Sequence, residues 1–309
     1  MTTTQTTPAP PRSKRRPRQL DAPGVPVRVI KGIVLVLACL LVIIPFIGVI
    51  STSIASQEHV TNSGGFVLWP DGVHLDAYRT IFNGGVVLQA LLVSFLITVG
   101  GTLISLAGST MLAYALSRPG SFGQRPILMI VLFSLLFSPG LIPNYLVVKQ
   151  FGLLDSLWAL ILPTAISGFN VIILRSFFMG IPDEVVDSAR IDGAGDFRIF
   201  WSIILPLSRA VLAVIGLFYA VGYWNAFFSA LLYISDTAKW PLQLVLRTYV
   251  INNTELSSGD LGGAAADQLP PQESIQMAIL VISLVPILIV YPFLQRHFAK
   301  GMLTGAVKG

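Results

Sequence analysis

The sequence is poor in charge and in cysteine. Only 11% of its 309 residues are Asp, Glu, Lys or Arg, whereas 54% are hydrophobic. A soluble domain carries roughly 25% charged residues. Because so few charges cannot cover a water-facing surface, the composition predicts an integral membrane protein, in agreement with a mean hydropathy of +0.76. The single cysteine, Cys39, excludes a disulfide framework and a cysteine-based zinc site.

Several kinds of chemistry are also missing. The chain contains no Gly-x4-Gly-Lys-Ser/Thr motif and therefore cannot cradle ATP phosphates in a P-loop. Its three histidines, His59, His74 and His297, are far apart and lack metal-ligand spacing. No catalytic residue, metal site or cofactor is predicted. The sequence does not read as an enzyme.

Long apolar runs dominate what is present. Six have spanning length, and their cores contain no Asp, Glu, Lys or Arg. They predict an all-α membrane protein with six transmembrane helices, at about 30–53, 86–116, 127–148, 157–179, 209–233 and 275–294. An ion-coupled secondary transporter of a small polar solute usually needs an ionisable relay at membrane depth. No such ionisable residue is present in the cores of the six runs. Sodium can also be bound by backbone carbonyls, which the sequence does not reveal, so an ion-coupled secondary transporter stays open as an alternative.

Basic residues indicate the orientation. Six spans place both termini on one side, and with the termini in the cytoplasm 16 of the 20 Lys and Arg residues lie inside. The exceptions are Arg79, Lys149, Lys239 and Arg247. This asymmetry follows the positive-inside rule. The basic cluster from Arg12 to Arg18 could also bind lipid headgroups or nucleic acid, but as the flank of a first span it needs no nucleic-acid partner.

These observations divide the chain into segments. The expected segments are a disordered basic cytoplasmic tail (1–29), a first transmembrane helix (30–53), an extracytoplasmic loop (54–85), a core of five transmembrane helices (86–295) and a cytoplasmic C-terminal tail (296–309). Within the core, Gly101, Ser105 and Ser109 are spaced four apart. That spacing predicts a stripe of small residues for close helix packing.

One polar tract, Ile181–Pro206, interrupts the apolar runs. Pro182 and the acids after it suit the first turn of a helix, and Gly193 and Gly195 should end that helix. Asp196 can cap a second helix. Two apolar stripes are expected to face the rest of the protein. They consist of Ile181, Val185 and Ala189 on the first helix, and Phe197, Phe200, Trp201 and Ile204 on the second.

This tract resembles a family signature. Asp187-Ser188-Ala189, Gly193, Ile203 and Leu205-Pro206 match the pattern E-A-A-x3-G-x9-I-x-L-P, with Asp for Glu and Ser for the first Ala. The signature belongs to inner-membrane permease subunits of binding-protein-dependent ABC importers. The segments 113–118, 177–182, 191–194 and 223–226 and the final Gly-x3-Gly-x-Val-Lys-Gly are similar to maltose-type carbohydrate permeases. The segment from Trp240 to Val250 resembles the subgroup for complex oligosaccharides.

The resemblance implies a fold, a location and partners. It implies the type I ABC importer permease fold in a bacterial inner membrane, with a cytoplasmic coupling helix in loop 180–208. It also implies a heterodimer with a second permease, two cytoplasmic ATP-binding subunits and an extracytoplasmic sugar-binding lipoprotein. Residues implied to couple to the ATPase are Glu184, Asp187, Ser188, Ala189, Gly193, Leu205 and Pro206.

A carbohydrate path would need aromatic side chains that stack on sugar faces beside amides that bond hydroxyl groups. Four residues meet that description: Asn144 and Tyr145, which follow the helix-breaking Ser138-Pro139-Gly140, and Trp224 and Asn225, which lie within the fifth apolar run. Hydrogen bonding and packing between helices would explain the same residues without any substrate. Both interpretations remain open at the level of the sequence.

Overall fold

Helices form every regular element in the described part of the chain. The structure, a computed structural model, describes residues 25–252, 254, 256–257, 259–263 and 269–305, and the side chains of its last helix as far as Pro292. In chain order the α-helices are α1 (Val25–Ile54), α2 (Gln57–Asn62), α3 (Asp76–Phe82), α4 (Val86–Ser117), α5 (Gln124–Leu136), α6 (Leu141–Gln150), α7 (Trp158–Ile161), α8 (Gly168–Met179), α9 (Asp183–Ile191), α10 (Asp196–Ile199), α11 (Leu205–Leu207), α12 (Arg209–Trp224), α13 (Phe227–Tyr233), α14 (Leu242–Leu246) and α15 (Gln272–Gly305).

The chain divides into two units, residues 1–46 and 47–309. The first unit is described from Val25 onward and consists of the beginning of α1, whose side chains are exposed along 25–46. Over residues 33–46 this helix is apolar on all sides, which suits a lipid surrounding. This helix begins before the predicted start at residue 30, because Pro26 is compatible with a first helical turn. The remainder of the predicted tail, 1–24, lies outside the described residues.

Three described helices are long and apolar enough to cross a membrane unbroken, at Val25–Ile54, Val86–Ser117 and Gln272–Pro292. Two bent pairs also qualify if each is one span: Trp158–Thr164 with Gly168–Met179 at 50°, and Asp196–Leu207 with Arg209–Trp224 at 83°. The apolar run 127–148 is split between α5 and α6. The break follows from Pro139, which lacks a donor, and Gly140, whose φ is 83°.

The stripe of small residues lies where α4 meets α12. Gly101, Ser105 and Ser109 are all buried. The Ser105 and Tyr223 hydroxyls are 2.7 Å apart, and those of Ser109 and Tyr219 are 2.6 Å apart. The small residues of α4 leave room for two tyrosine rings of α12, and the two serine hydroxyls hydrogen-bond the tyrosine hydroxyls. The predicted close helix packing is therefore confirmed.

The predicted extracytoplasmic loop 54–85 contains structure of its own. It includes the two short helices α2 and α3. The Asp71 carboxylate accepts hydrogen bonds from the hydroxyl and the backbone N–H of Ser56, which lower the pKa of Asp71 to about 2. At the other end of the unit, α15 continues as far as Gly305 into the predicted C-terminal tail, and residues 306–309 lie outside the described part.

Candidate functional site

The tract Ile181–Pro206 forms two helical segments joined at a glycine, as the sequence predicts. Helix α9 ends in a Schellman motif, in which the N–H of Ala194 donates to the carbonyl of Ala189 and the N–H of Gly193 donates to that of Arg190. Gly193 has a φ of 78°, which a residue with a side chain rarely adopts. The second segment then runs from Asp196 to Leu207 through a wide π-helical turn at Phe200–Ile204.

Asp196 is the first helical residue rather than the predicted cap. The preceding Gly195 occupies the cap position and has no side chain to accept a bond. Asp196 instead forms a 3.2 Å ion pair with Arg190 across the elbow, which is the junction at residues 192–195 between α9 and α10. Both side chains are more than half exposed, so this pair contributes little to stability.

The two predicted apolar stripes are partly wrong. On α9 the buried residues are Val186 and Ala189, whereas Val185 is exposed, because Ile181 precedes the helix and does not continue its spacing. On the second segment Phe200 and Ile204 are buried, while Phe197 and Trp201 are 73% and 51% exposed. Residues at i, i+3, i+4 and i+7 cover about 100° of a helix surface. Only one side of a stripe this wide packs against the neighbouring helices, and the other side stays exposed.

The inward edge of the tract is anchored on α4 and α8. Val186, Ala189, Ile199 and Ile204 belong to the same buried cluster as residues of α4 and α8. The Tyr114 ring of α4 lies 4.9 Å from that of Phe200, and its hydroxyl is 3.4 Å from the carbonyl oxygen of Asp196. These contacts hold the inward edge of the tract against α4 and α8.

The outward edge is apolar and acidic. Ile191, Phe197 and Trp201 are exposed, and the last two rings lie 6.1 Å apart. Among the predicted coupling residues, Glu184, Asp187, Ser188, Gly193 and Pro206 are exposed, Leu205 is half-buried and Ala189 is buried. The Ser188 hydroxyl donates to the carbonyl of Glu184 at 2.7 Å. In the described residues neither Glu184 nor Asp187 pairs with a cation of this chain. This edge is thus open to another molecule.

A second feature is a cavity of about 450 Å³ between α8, α12 and α13. Its polar lining comes from Thr164, Ser167, Asn170, Asn225 and Ser229. Four aromatic rings complete it, those of Phe218, Tyr219, Tyr223 and Phe228. The mixture of hydroxyl, amide and aromatic groups can hydrogen-bond and stack on a polar solute.

The residues predicted for the substrate path are not brought together. Asn225 lines the cavity, with its amide donating to the carbonyl of Val221 at 2.9 Å. Trp224 is buried on another side of α12, where its indole donates to the carbonyl of Ser283 in α15 at 3.1 Å. Tyr145 stacks on Tyr233 at 6.3 Å, and Asn144 is exposed on α6. Only Asn225 of the four lines this cavity.

Two further residues at the cavity wall, Tyr219 and Ser167, are not among those predicted from the sequence. The Tyr219 hydroxyl accepts from the backbone N–H of Ser167 at 3.0 Å and bonds Ser109, so it ties α8 and α4 to α12 at the cavity wall. A signal was present in the sequence. Tyr219 and Tyr223 are four apart, and their spacing matches that of Ser105 and Ser109 on the facing helix.

Comparison with known proteins assigns these features to a family. Residues 108–304 match the family described as the binding-protein-dependent transport system inner membrane component. The chain belongs to this family. The matched region contains both the elbow and the cavity. The predicted family and importer permease fold are therefore confirmed.

Relatives and a solved structure agree with the assignment. The polygalacturonan/rhamnogalacturonan transport system permease protein YtcP of Bacillus subtilis (strain 168) is 49% identical over 89% of this chain and 96% of its own. Protein LplC of the same strain is 48% identical over 86% of this chain and 90% of its own. One chain in the crystal structure of a bacterial ABC transporter involved in the import of the acidic polysaccharide alginate superposes with a TM-score of 0.80. That chain is 30% identical, and the match covers 94% of this chain and all of that one.

Membership of the permease family decides between the open alternatives. The protein is the membrane-embedded permease component of an ABC importer, not an ion-coupled secondary transporter, and ATP is hydrolysed by partner subunits. ATPase and binding-protein partners follow from the family, as does a place in the inner membrane.

Proposed function

We propose that this permease forms half of the path for a carbohydrate, as one member of a heterodimer with a second permease. Two cytoplasmic ATP-binding subunits and an extracytoplasmic sugar-binding lipoprotein complete the importer. The observation that carries the substrate class is the similarity to YtcP, 49% identical and described as a polygalacturonan/rhamnogalacturonan permease. The similar solved structure belongs to an importer of the polysaccharide alginate.

The cavity supports the same substrate class. Asn170 and Asn225 provide amides, Ser167 and Ser229 provide hydroxyl groups, and the rings of Phe218 and Phe228 stand beside them. Sugars present hydroxyl groups around their rims and apolar C–H faces. A site for them therefore combines hydrogen-bonding groups with aromatic surfaces. In this proposal Asn225 is a contact residue of the path, and Trp224 acts by holding α12 against α15.

The tract Ile181–Pro206 is proposed to couple the permease to its ATPase. Its exposed apolar edge fits a partner's groove, and the exposed Glu184 and Asp187 suit basic residues on that partner. The buried edge links it to α4 and α8, which reach the cavity region. A movement of the partner driven by ATP can shift the path only if the tract makes different contacts in the two states.

The proposed orientation places this tract and both termini in the cytoplasm. It rests on the distribution of basic residues, of which only Arg79, Lys149, Lys239 and Arg247 fall on the outer side. The outward edge of the tract and the ATPase are then on the same side of the membrane.

The test is a charge reversal at the coupling edge, Asp187→Lys, in the complete importer. Asp187 is exposed, so the variant should fold and insert normally. A lysine facing basic partner residues should repel them, and uptake should fall at least tenfold while ATP hydrolysis continues. Uptake of a labelled galacturonate trisaccharide into proteoliposomes and phosphate release are measured together.

The matched control is Asp76→Lys, which reverses an exposed aspartate of α3 outside the tract. This control should transport normally. Normal coupled uptake by Asp187→Lys would contradict the coupling role of this residue. A wild-type importer that takes up no oligosaccharide would contradict the carbohydrate assignment.

A further inference from the structure

Two of the four basic residues on the proposed outer side are neutralised by a neighbouring acid. Arg79 pairs with Asp76 at 3.4 Å, and Lys239 pairs with Asp236 at 3.3 Å. Arg247 forms no ion pair with a carboxylate within the described residues, and neither does Lys149. These two cations are therefore the ones available to an anion from outside the chain.

Arg247 differs from Lys149 in being held in place. Its guanidinium carbon lies 4.6 Å from the centre of the Phe227 ring, in a cation–π contact. Lys149 is an exposed side chain at the end of α6. A guanidinium stacked on a ring keeps its edge of N–H groups free, and its plane is fixed before a ligand arrives.

Phe227, the ring that Arg247 contacts, lies in the segment that borders the cavity. The residues on both sides of it in the chain, Ala226 and Phe228, line the cavity, as does Asn225. Arg247 itself is exposed and lies in the turn that follows α14. The guanidinium therefore contacts a residue of the segment that borders the cavity, on the side that the proposed orientation assigns to the exterior.

The ligand that fits this arrangement is a carboxylate on a sugar. A guanidinium fork matches the two oxygens of a carboxylate, and such charge-assisted pairs are stronger than hydrogen bonds between neutral groups. The lining of the cavity meets the hydroxyl groups and apolar faces of a sugar but offers no positive charge. A cation at the rim supplies what an acidic sugar needs in addition.

We propose that Arg247 binds a carboxylate of the transported oligosaccharide at the rim of this cavity and selects acidic over neutral oligosaccharides. This inference rests on the proposed function as a carbohydrate permease. The contact with Phe227 holds the guanidinium in place, and the guanidinium binds the carboxylate of the solute. The amides and rings of the cavity bind the remainder of the solute.

The experiment compares two solutes that have the same sugar skeleton, one with charged and one with uncharged carboxyl groups. They are a galacturonate trisaccharide and the same trisaccharide with its carboxylates methyl-esterified. Saturation-transfer NMR on the assembled permease–ATPase complex, without the binding protein, measures contact of each solute with the permease itself. In Arg247→Gln the apparent affinity for the acidic trisaccharide should fall about tenfold, the size of one charge-assisted bond. Affinity for the ester should be unchanged.

Two further variants sharpen the reading. Arg79→Gln makes the same change at a paired arginine away from the cavity and should alter neither affinity. Arg247→Lys keeps the charge but loses the planar fork, so it should recover only part of the preference for the acidic solute. Equal loss for both solutes in Arg247→Gln would show a structural role and overturn the proposal.

Other outcomes also decide the matter. Unchanged affinity for both solutes, with weaker association of the binding protein, would make Arg247 a docking residue and overturn the proposal. A wild-type complex that contacts neither trisaccharide would also overturn the proposal for Arg247. The carbohydrate assignment is tested separately by uptake of the acidic trisaccharide into proteoliposomes with the complete wild-type importer.

Discussion

At the scale of the residue, the packing of α4 on α12 depends on the absence of one side chain. A Cβ at Gly101 would lie 2.8 Å from the Tyr223 ring. That ring cannot retreat freely, because its hydroxyl bonds Ser105 at 2.7 Å and the carbonyl of Ile161 at 3.2 Å. The contact is thus both close and fixed.

Gly101→Ala should therefore destabilise the permease by about 1–3 kcal/mol, the usual cost of overpacking. Thermal unfolding in detergent measures the change. The adjacent Gly100 provides the control, because a Cβ there would have no neighbour within 4 Å. Equal melting temperatures for Gly101→Ala and Gly100→Ala would contradict the packing described here.

A second residue-scale effect concerns charge in loop 54–85. The hydroxyl and then the N–H of Ser56 lower the pKa of Asp71 from 3.8 to about 2. The pKa of Asp71 is lower in the folded protein than in the unfolded chain. Its contacts with Ser56 therefore stabilise the fold fully at pH values above the ordinary pKa of an aspartate. This stabilisation is lost as the pH falls through the folded value.

Asp71→Asn should accordingly increase hydrogen exchange at the Ser56 amide at neutral pH, because an amide accepts a weaker hydrogen bond than a carboxylate. The difference from the wild type should disappear as the pH is lowered towards 2. Hydrogen-exchange mass spectrometry of the loop measures the ratio of the two rates. Asp76→Asn, in an exposed ion pair, should leave this amide unaffected. A ratio that does not change with pH would argue against the Asp71–Ser56 contact.

At the scale of the element, the elbow between α9 and α10 determines where the outward edge points. The Schellman motif fixes the direction of the chain at Gly193, while Gly195 has an ordinary φ of −72°. An added Cβ would meet no atom within 4 Å at either glycine. The two positions thus differ in backbone conformation and not in available space.

Gly193→Ala should destabilise the elbow by about 1 kcal/mol, whereas Gly195→Ala should not. Gly193→Pro should do more and uncouple uptake from ATP hydrolysis, because proline cannot adopt a positive φ. Uptake per ATP hydrolysed, in the reconstituted importer, is the measurement. Membrane insertion should be normal in all three variants. Tight coupling in Gly193→Pro would show that the elbow geometry does not matter.

At the scale of the whole molecule, the uneven distribution of basic residues sets the proposed orientation. Charged side chains that remain inside during insertion define which ends of the helices face the cytoplasm. In this orientation the elbow and the segment between α4 and α5 lie on the cytoplasmic side of the membrane, and loop 54–85 lies on the extracytoplasmic side.

A membrane-impermeant thiol reagent tests this orientation. In a Cys39→Ser background, Asn83→Cys should be labelled in intact cells, because this exposed position is in the outer loop. Ser188→Cys, in the elbow tract, should be labelled only after the cells are permeabilised. The reverse pattern would invert the orientation and remove the elbow from the ATPase.

The sequence by itself determined the class of the protein, the glycine elbow and the family. These depend on local composition and spacing, which neighbouring elements do not alter. The tertiary structure decided which side of each element faces inward. Val186 rather than Val185 is buried, and Phe197 and Trp201 point outward. Helical spacing places residues on a face, but the choice of face depends on the neighbour against which the helix packs. For the same reason only the folded chain separates Asn225, which lines the cavity, from Trp224, which lies against α15.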